Sequence, residues 1–225
     1  MEFKSVNKLI EKSFKANWER PALSNYQGIT LSYRDVARRI SKLHIAFEQC
    51  GLEKGDKVAI CSRNQANWGV SFLAATTYGA VAVPILHEFK PDNIHHLVNH
   101  SEAKVLFVDE VIWEGLSPEE MPGLYVVVQI NTFKFLYTKV PAFNEIREHL
   151  NESFGKRYPN NFGPDDLNYH EDTPEAIWEM RIEESDATGE LSLCITDYAA
   201  DEEEESDLRG IWDDNLERLH RVSGL

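Results

Sequence analysis

The chain has 225 residues, of which 42% are hydrophobic and 11% aromatic, and this composition is typical of a globular protein with about one or two domains. The formal net charge of −15 disfavours binding to nucleic acids and to anionic membranes, because both are polyanions. There is no apolar run long enough to cross a bilayer and no signal-peptide pattern at the start, so we expect a cytoplasmic protein without a transmembrane segment.

The first predicted elements are a helix and a small hairpin. Apolar residues recur at helical spacing between Ser5 and Trp18, which predicts an amphipathic helix with Ser5 as its cap. Residues 20–25 then favour a short strand, and the turn at residues 26–28 leads into a partner strand at residues 29–31.

A helix and a strand follow in the stretch that begins at Leu31. Ser32 and Asp35 have the spacing of a helix cap, and the apolar residues from Val36 to Phe47 recur on one helical face. Gly51 can adopt the left-handed conformation that ends a helix. The apolar run at residues 57–61 then predicts a short strand.

A second helix, from Asn64 to Tyr78, is expected to begin at a cap provided by Ser62 or Asn64 and to stop at Gly79. Residues 80–86 close this stretch as another apolar strand.

Two further apolar runs and two helices extend the same alternation. The strands at residues 80–86, 104–109 and 124–130 are nearly continuous apolar runs, which parallel strands covered on both faces require. The helices span Pro91–His100, with inward-facing Ile94, Leu97 and Val98, and Pro141–Phe154. Strands that alternate with helices predict right-handed crossovers, and therefore an α/β fold with a doubly wound, mostly parallel sheet.

Several of these segments resemble the N-terminal part of AMP-forming acyl-CoA synthetases, which belong to the adenylate-forming ligase superfamily. The matching segments are Leu31-Ser32-Tyr33, Gly55-Asp56-Lys57-Val58-Ala59-Ile60, Asn64 with Trp68, and Tyr78-Gly79-Ala80-Val81-Ala82-Val83-Pro84. The similarity runs from about Asn7 to about Glu175, and fatty-acyl-CoA ligases are the branch it suggests first. It implies that residues 1–170 form the N-terminal subdomain of a ligase that activates a carboxylate to an acyl-adenylate and then forms a thioester.

The motifs that carry the family's chemistry are absent from this sequence. Members have a downstream phosphate loop of the form Thr-Ser-Gly-Thr-Thr-Gly-x-Pro-Lys-Gly, and later adenine, ribose and catalytic-lysine motifs. None of these follows residues 171–175 here. ATP, magnesium and coenzyme A are therefore implied for the full-length family only, and no catalytic, cofactor-binding or metal residue is assigned. We expect the chain to be inactive without the missing remainder of the ligase.

Residues 171–225 form an acidic tail of different composition. They contain 18 acidic and 4 basic residues, a balance of −14, whereas the first 170 residues have a balance of −1. Within the tail, residues 190–196 predict a strand, residues 201–206 a solvated acidic run, and residues 207–222 an amphipathic helix.

The tail suggests a second function, in which the chain is a non-enzymatic interaction protein that docks a partner through the acidic tail and its C-terminal helix. A third is a small α/β module that binds a nucleotide or an acyl group. We expect that a sheet without its remaining covering would expose an edge and apolar surface, so a homo-oligomer is another predicted partner state.

Two groups of titratable residues are candidate sites by their chemistry. His95, His96 and His100 fall on one predicted helix, where His96 and His100 have the spacing to share a zinc ion. No cysteine or intervening glutamate accompanies them, so surface or packing histidines are the favoured interpretation. His87 and Glu88 follow a strand at the sheet edge where α/β proteins bind ligands, although position alone does not identify a base.

Backbone and thiol features were the remaining candidates. Ser62-Arg63-Asn64 begins a helix and could receive an anion, but a cap without ligand is favoured. Gly28 and the Gly51–Gly55 segment lack nucleotide-loop spacing and are explained by turns and a helix stop. The cysteines Cys50, Cys61 and Cys194 are widely spaced and fit reduced thiols, with Cys61 expected to be a buried apolar residue.

Overall fold

The computed structural model of the protein describes residues 5–139, 142–170, 179–184, 191–196, 209–210 and 213. The chain divides into two compact units, Met1–Asp172 and Thr173–Leu225. Within the described ranges, no helix has both the length and the apolar character needed to cross a membrane.

The chain begins with a capped helix and a hairpin, as predicted. Helix α1 spans Val6–Ala16, and the Ser5 side chain accepts a hydrogen bond of 3.1 Å from the backbone N–H of Lys8. Strands β1 (Pro21–Ser24) and β2 (Thr30–Ser32) pair in antiparallel fashion.

Helix α2 (Tyr33–Gln49) is fixed at both ends by the residues that the sequence indicated. Ser32 Oγ accepts a hydrogen bond of 3.2 Å from the Asp35 N–H, and Asp35 Oδ2 accepts one of 3.0 Å from the Ser32 N–H. These reciprocal bonds satisfy two N–H groups that would otherwise lack partners in the first helical turn. Gly51 has a φ of +69°, the left-handed conformation that glycine adopts without strain.

A five-stranded sheet forms the centre of the first unit, with strand order β4-β3-β5-β6-β7. Strands β4, β3, β5 and β6 are parallel, and β7 is antiparallel to β6. The predicted α/β fold with a mostly parallel sheet is therefore confirmed. Its elements are β3 (Lys57–Cys61), α3 (Ala66–Tyr78), β4 (Val81–Ile85), α4 (Pro91–His100), β5 (Ala103–Val108), α5 (Glu110–Trp113), β6 (Val126–Gln129), β7 (Lys134–Thr138) and α6 (Ala142–Arg157).

The two faces of this sheet contribute to separate hydrophobic clusters. Alternate strand residues Val58, Val105 and Phe107 pack with buried residues of α2 and α3. The residues between them, Ala59 and Leu106, belong to a second cluster that includes Ile94 and Val98 of α4. Strands β3 and β5 are therefore buried on both faces, as their continuous apolar sequences predict.

Strand β4 departs from the prediction that both of its faces are covered. Val81 is 48% exposed, and Leu86, directly after the strand, is 62% exposed. The reason is that β4 is the edge strand and pairs only with β3. Only one of its two hydrogen-bonding edges is therefore covered by another strand.

The predicted cap of α3 is also wrong. The helix begins at Ala66, with Gln65 at the N-cap position and no side-chain cap, rather than after Ser62 or Asn64. The N–H of Ala66 instead donates a hydrogen bond of 2.7 Å to Asn25 Oδ1. A residue distant in sequence therefore satisfies the start of this helix.

The second unit contains an antiparallel pair of strands, β8 (Glu179–Glu184) and β9 (Leu191–Thr196). Their register pairs Glu179 with Thr196 and Glu184 with Leu191. Strand β9 lies where the sequence predicts one. The predicted acidic run at residues 201–206 and most of the predicted helix at residues 207–222 lie outside the described residues.

His44 lies on α2, packs against α3 and is half-buried. Its Nε2 atom lies 3.0 Å from the Ala74 carbonyl oxygen and 3.1 Å from Thr77 Oγ1, and the carbonyl requires a proton on Nε2. Burial lowers the pKa of His44 to about 4, so the side chain is neutral at pH 7.

This burial makes the stability of the fold depend on pH. As the pH falls below about 6.5, the unfolded chain takes up a proton on His44 before the folded chain does. Neutral His44 makes its full contribution to the free energy of unfolding above that pH. As the pH falls towards about 4, this contribution is lost, and the free energy of unfolding decreases by roughly 3 kcal/mol. Urea unfolding across this range should therefore show a flatter pH dependence for His44→Gln, which cannot be protonated.

The matched control is His149→Gln, because the side chain of His149 is 61% exposed. This variant should keep the pH dependence of the parent. Equal slopes for the parent and His44→Gln between about pH 6.5 and 4 would contradict the prediction.

Candidate functional site

The strand order creates a crevice at the carboxyl edge of the sheet. The crossover from β3 leads to β4 on one side, and the next crossover returns past β3 to β5 on the other. The helices that follow β3 and β5 therefore leave on opposite faces, and open α/β sheets bind ligands at such a point. A cavity of about 610 Å³ opens there, lined by Arg63, Gln65, His87, Asp109, Glu110, Val111, Ile112 and Asn131.

All four parallel strands contribute to this carboxyl-edge crevice through the residues that follow them. Arg63 and Gln65 lie in the loop after β3, and His87 follows β4. Residues 109–112 come after β5, and Asn131 comes after β6. The lining therefore depends on the parallel arrangement, because parallel strands end at the same edge.

Asp109 joins the ends of the two central strands. Its Oδ2 atom accepts a hydrogen bond of 2.9 Å from the backbone N–H of Arg63, and its Oδ1 atom accepts one of 3.3 Å from Gln65 Nε2. The loop after β3 is thereby fixed to the end of β5. Asp109 is a positioning residue for one wall of the crevice.

The neighbouring carboxylate, Glu110, is oriented by a second set of bonds. Gln129 Nε2 donates a hydrogen bond of 2.8 Å to Glu110 Oε2. Thr132 Oγ1 in turn donates a bond of 2.5 Å to Gln129 Oε1. Both carboxylates of the crevice are thus held by donors of the protein itself.

The structure separates the predicted pair His87 and Glu88. His87 lines the crevice, whereas Glu88 is exposed and is not one of the lining residues. Of the segment Ser62-Arg63-Asn64, only Arg63 lines the crevice. Sequence reasoning missed Asp109 and Glu110, although their position directly after a buried strand is the same signal that indicated His87.

The three histidines of α4 have different environments. His95 Nε2 accepts a hydrogen bond of 3.1 Å from the Ser117 N–H. His96 and His100 are exposed, and their rings stack at a centroid distance of 5.8 Å with an interplanar angle of 13°. Across the described part of the chain, no group of three histidine, cysteine or acidic side chains is placed to hold a metal ion.

The glycine and cysteine predictions match the local structure. Gly51 and Gly55 have positive φ angles, and the Gly55 N–H donates a hydrogen bond of 2.8 Å to the Gly79 carbonyl. Cys61 is fully buried, and this burial raises its pKa to about 12. Burial also raises the pKa of Cys50, whose Sγ donates to the Ala46 carbonyl. Neither thiol is activated as a nucleophile.

The first unit matches one protein family over nearly its whole length. The AMP-binding enzyme family matches residues 10–169, which is more than half of the chain. The chain therefore belongs to the family of AMP-binding enzymes, of which it holds the N-terminal part.

Individual relatives agree with this assignment. The chain is 34% identical over 96 residues to fatty acyl-CoA synthetase A of Dictyostelium discoideum, covering 41% of this chain and 14% of that protein. It is 30% identical over 126 residues to YdaB of Bacillus subtilis, a candidate acyl-CoA ligase, covering 55% of this chain and 25% of that protein. The chain thus spans a quarter or less of these two relatives.

A solved structure supports the fold alone. The anthranilate CoA ligase AuaEII, in complex with anthranoyl-AMP, aligns with a TM-score of 0.59 and 19% identity. The alignment covers 85% of this chain and 33% of that one.

The acidic tail matches a different family. A START-like superfamily domain matches residues 165–225, and its first residues overlap the end of the AMP-binding match. The second match begins close to residue 171, where the composition becomes strongly acidic. Sequence analysis found the change in composition but assigned no family to the tail.

The ATP phosphates that the family uses do not fit the crevice formed by the described residues. Its lining contains the carboxylates of Asp109 and Glu110 but a single guanidinium, that of Arg63. The two carboxylates would repel a phosphate chain. No described side chain is therefore assigned to the ATP phosphates, and no group of three acidic, histidine or cysteine side chains in the described residues is placed to hold magnesium.

The bridging role of Asp109 predicts the effect of its removal. Asp109→Ala breaks both bonds to the loop after β3, so we expect the free energy of unfolding to fall by about 1–3 kcal/mol. Urea unfolding measures this loss, and hydrogen exchange should show faster exchange at residues 62–65.

Asp92→Ala is the matched control, because Asp92 is an exposed carboxylate in the first turn of α4. Its loss should cost at most about 1 kcal/mol. If the two substitutions destabilise the protein equally, Asp109 does not fix the wall of the crevice.

Proposed function

We propose that this chain is the N-terminal portion of an ATP-dependent, AMP-forming fatty-acyl-CoA ligase. The observation that carries the proposal is the AMP-binding enzyme match over residues 10–169, the same residues that form the five-stranded sheet and its crevice. In the complete ligase, a carboxylate would react with ATP to give an acyl-adenylate and pyrophosphate. Coenzyme A would then displace AMP to give the thioester.

The fatty-acyl class of substrate is supported by the names of several relatives. Three of them, from Dictyostelium discoideum, Arabidopsis thaliana and Rattus norvegicus, are named for fatty acyl or long-chain substrates. Surfactin synthase subunits are relatives as well, so not every relative is named for a fatty acid, and a different class of carboxylate, amino acids, is included in the test below.

We further propose that the chain has no ligase activity by itself. Stabilising the phosphates during adenylation requires donors and cations placed around them. The sequence lacks the phosphate loop, and the crevice presents carboxylates instead. The partner that would complete the activity is the remainder of a ligase, which would bind ATP, magnesium and coenzyme A.

A homo-oligomer and a cytoplasmic location belong to the same proposal. Exposed apolar residues at edge strand β4 support pairing, and the free thiols Cys50 and Cys61 fit a reducing compartment. Docking of a partner through the acidic tail remains the alternative function.

The proposal predicts that the purified chain shows no exchange of labelled pyrophosphate into ATP in the presence of palmitate and magnesium. The measurement should be repeated with a mixture of amino acids in place of palmitate. A complete fatty-acyl-CoA ligase, assayed in parallel, shows that the conditions permit exchange.

The three outcomes have different meanings. Absence of exchange with every carboxylate agrees with an incomplete ligase. Palmitate-dependent exchange by the chain alone would overturn the proposed inactivity while supporting the substrate class. Exchange that depends on an amino acid would overturn both.

A further inference from the structure

A second cavity of the first unit shares no lining residue with the carboxyl-edge crevice. It has a volume of about 460 Å³ and lies between α2 and the C-terminal part of α6 with the loop that follows. Its lining includes Arg34, Asp35 and Arg38 of α2, together with Phe154, Tyr158 and Phe162. We call it the α2–α6 cavity.

The α2 side of this cavity carries a line of cations. Arg34, Arg38 and Lys42 are spaced four residues apart and therefore lie on one face of the helix. The Arg38 guanidinium lies 5.3 Å from the centre of the Phe154 ring, and Lys42 Nζ lies 5.4 Å from the same centre. Two cations thus contact one aromatic ring.

Among the side chains that the structure describes, which exclude those of residues 142–148, neither Arg38 nor Lys42 forms an ion pair. Of the nearby carboxylates, Asp35 is engaged in the helix cap, and Glu19 pairs with Arg34 at 3.1 Å. Lys42 Nζ donates to the neutral amide oxygen of Asn151 at 2.7 Å. An anion beside Arg38 would meet a guanidinium without an ion-pair partner among those side chains, and this attraction has to exceed the repulsion from Asp35, which also lines the cavity.

The electrostatics of Lys42 agree with an excess of positive charge. Partial burial lowers its pKa, and repulsion from Arg38 and Arg39 lowers it further. Arg39 itself is directed to Asn67 Oδ1. A bound anion would relieve this repulsion.

The opposite side of the cavity is aromatic. The centroid of the Phe162 ring lies 4.8 Å from that of Tyr158 and 5.5 Å from that of Phe154. The Trp18 ring packs on Phe162 with a centroid distance of 5.7 Å. These rings offer apolar surface for stacking directly beside the guanidinium groups. A planar ring that carries a negative group would satisfy both sides at once.

We propose that the α2–α6 cavity is a binding site for a small aromatic anion of the aryl phosphate class. The phosphate would bind the guanidinium of Arg38, with support from Arg34, because guanidinium groups hold phosphate oxygens in paired hydrogen bonds. The ring would stack on the side chains of Tyr158 and Phe162. The cavity volume lies within the usual range for small-ligand sites. The proposal does not depend on the ligase assignment.

The test uses the full 225-residue chain and 1-naphthyl phosphate as a fluorescent probe. Fluorescence anisotropy should show saturable binding with a Kd below about 1 mM at low salt, weakening as salt is added. Because it lacks the anion, 1-naphthol should bind at least about tenfold more weakly.

Substitutions then locate the site. Arg38→Gln and, separately, Arg34→Gln should each weaken binding by about tenfold, provided that circular dichroism and the urea midpoint show a folded protein. Lys134→Gln, in β7, removes a cation of similar size remote in sequence from this cavity and should leave the affinity unchanged.

Three results would overturn the proposal. The first is no saturable binding up to about 1 mM probe. The second is unchanged affinity in folded Arg38→Gln and Arg34→Gln. The third is loss of binding in Arg63→Gln with retention in Arg38→Gln, which would place the probe in the carboxyl-edge crevice instead.

Discussion

The burial of β3 and β5 on both faces is the constraint on which the first unit depends. Val58, Ile60, Leu106 and Phe107 have no measurable exposure, so helices must cover each side of the sheet. Right-handed crossovers can deliver those helices to opposite faces only if the chain reverses direction across the sheet. The reversal occurs between β3 and β5, and the carboxyl-edge crevice is its direct consequence. The double-sided core and the carboxyl-edge crevice thus both result from the reversal of the chain between β3 and β5.

The sequence predicted the elements whose signals are local. Strand β3 and helix α4 have the predicted bounds, because turn residues border an apolar run or a helical pattern. The start of α3 was mispredicted because the acceptor for its first N–H, that of Ala66, is the side chain of Asn25, 41 residues away in sequence. His87 could be placed at the sheet edge from its strand alone. Asp109 could not be connected with Arg63, since that requires knowing that β3 and β5 are neighbours.

A match to a second family model follows the AMP-binding match along the chain. The START-like match begins near the change in charge balance at residue 171. The acidic composition is then a property of that second part, while residues 1–170 are nearly neutral overall.

Native-state hydrogen exchange of the whole chain tests most directly whether the doubly covered central strands hold the first unit together. We predict that the backbone amides of β3 and β5 exchange most slowly, with protection equal to the global free energy of unfolding, while edge strand β4 exchanges faster. If β3 and β5 exchange as fast as β4, these strands do not form the stable centre of the unit, and the explanation given for the crevice fails with them.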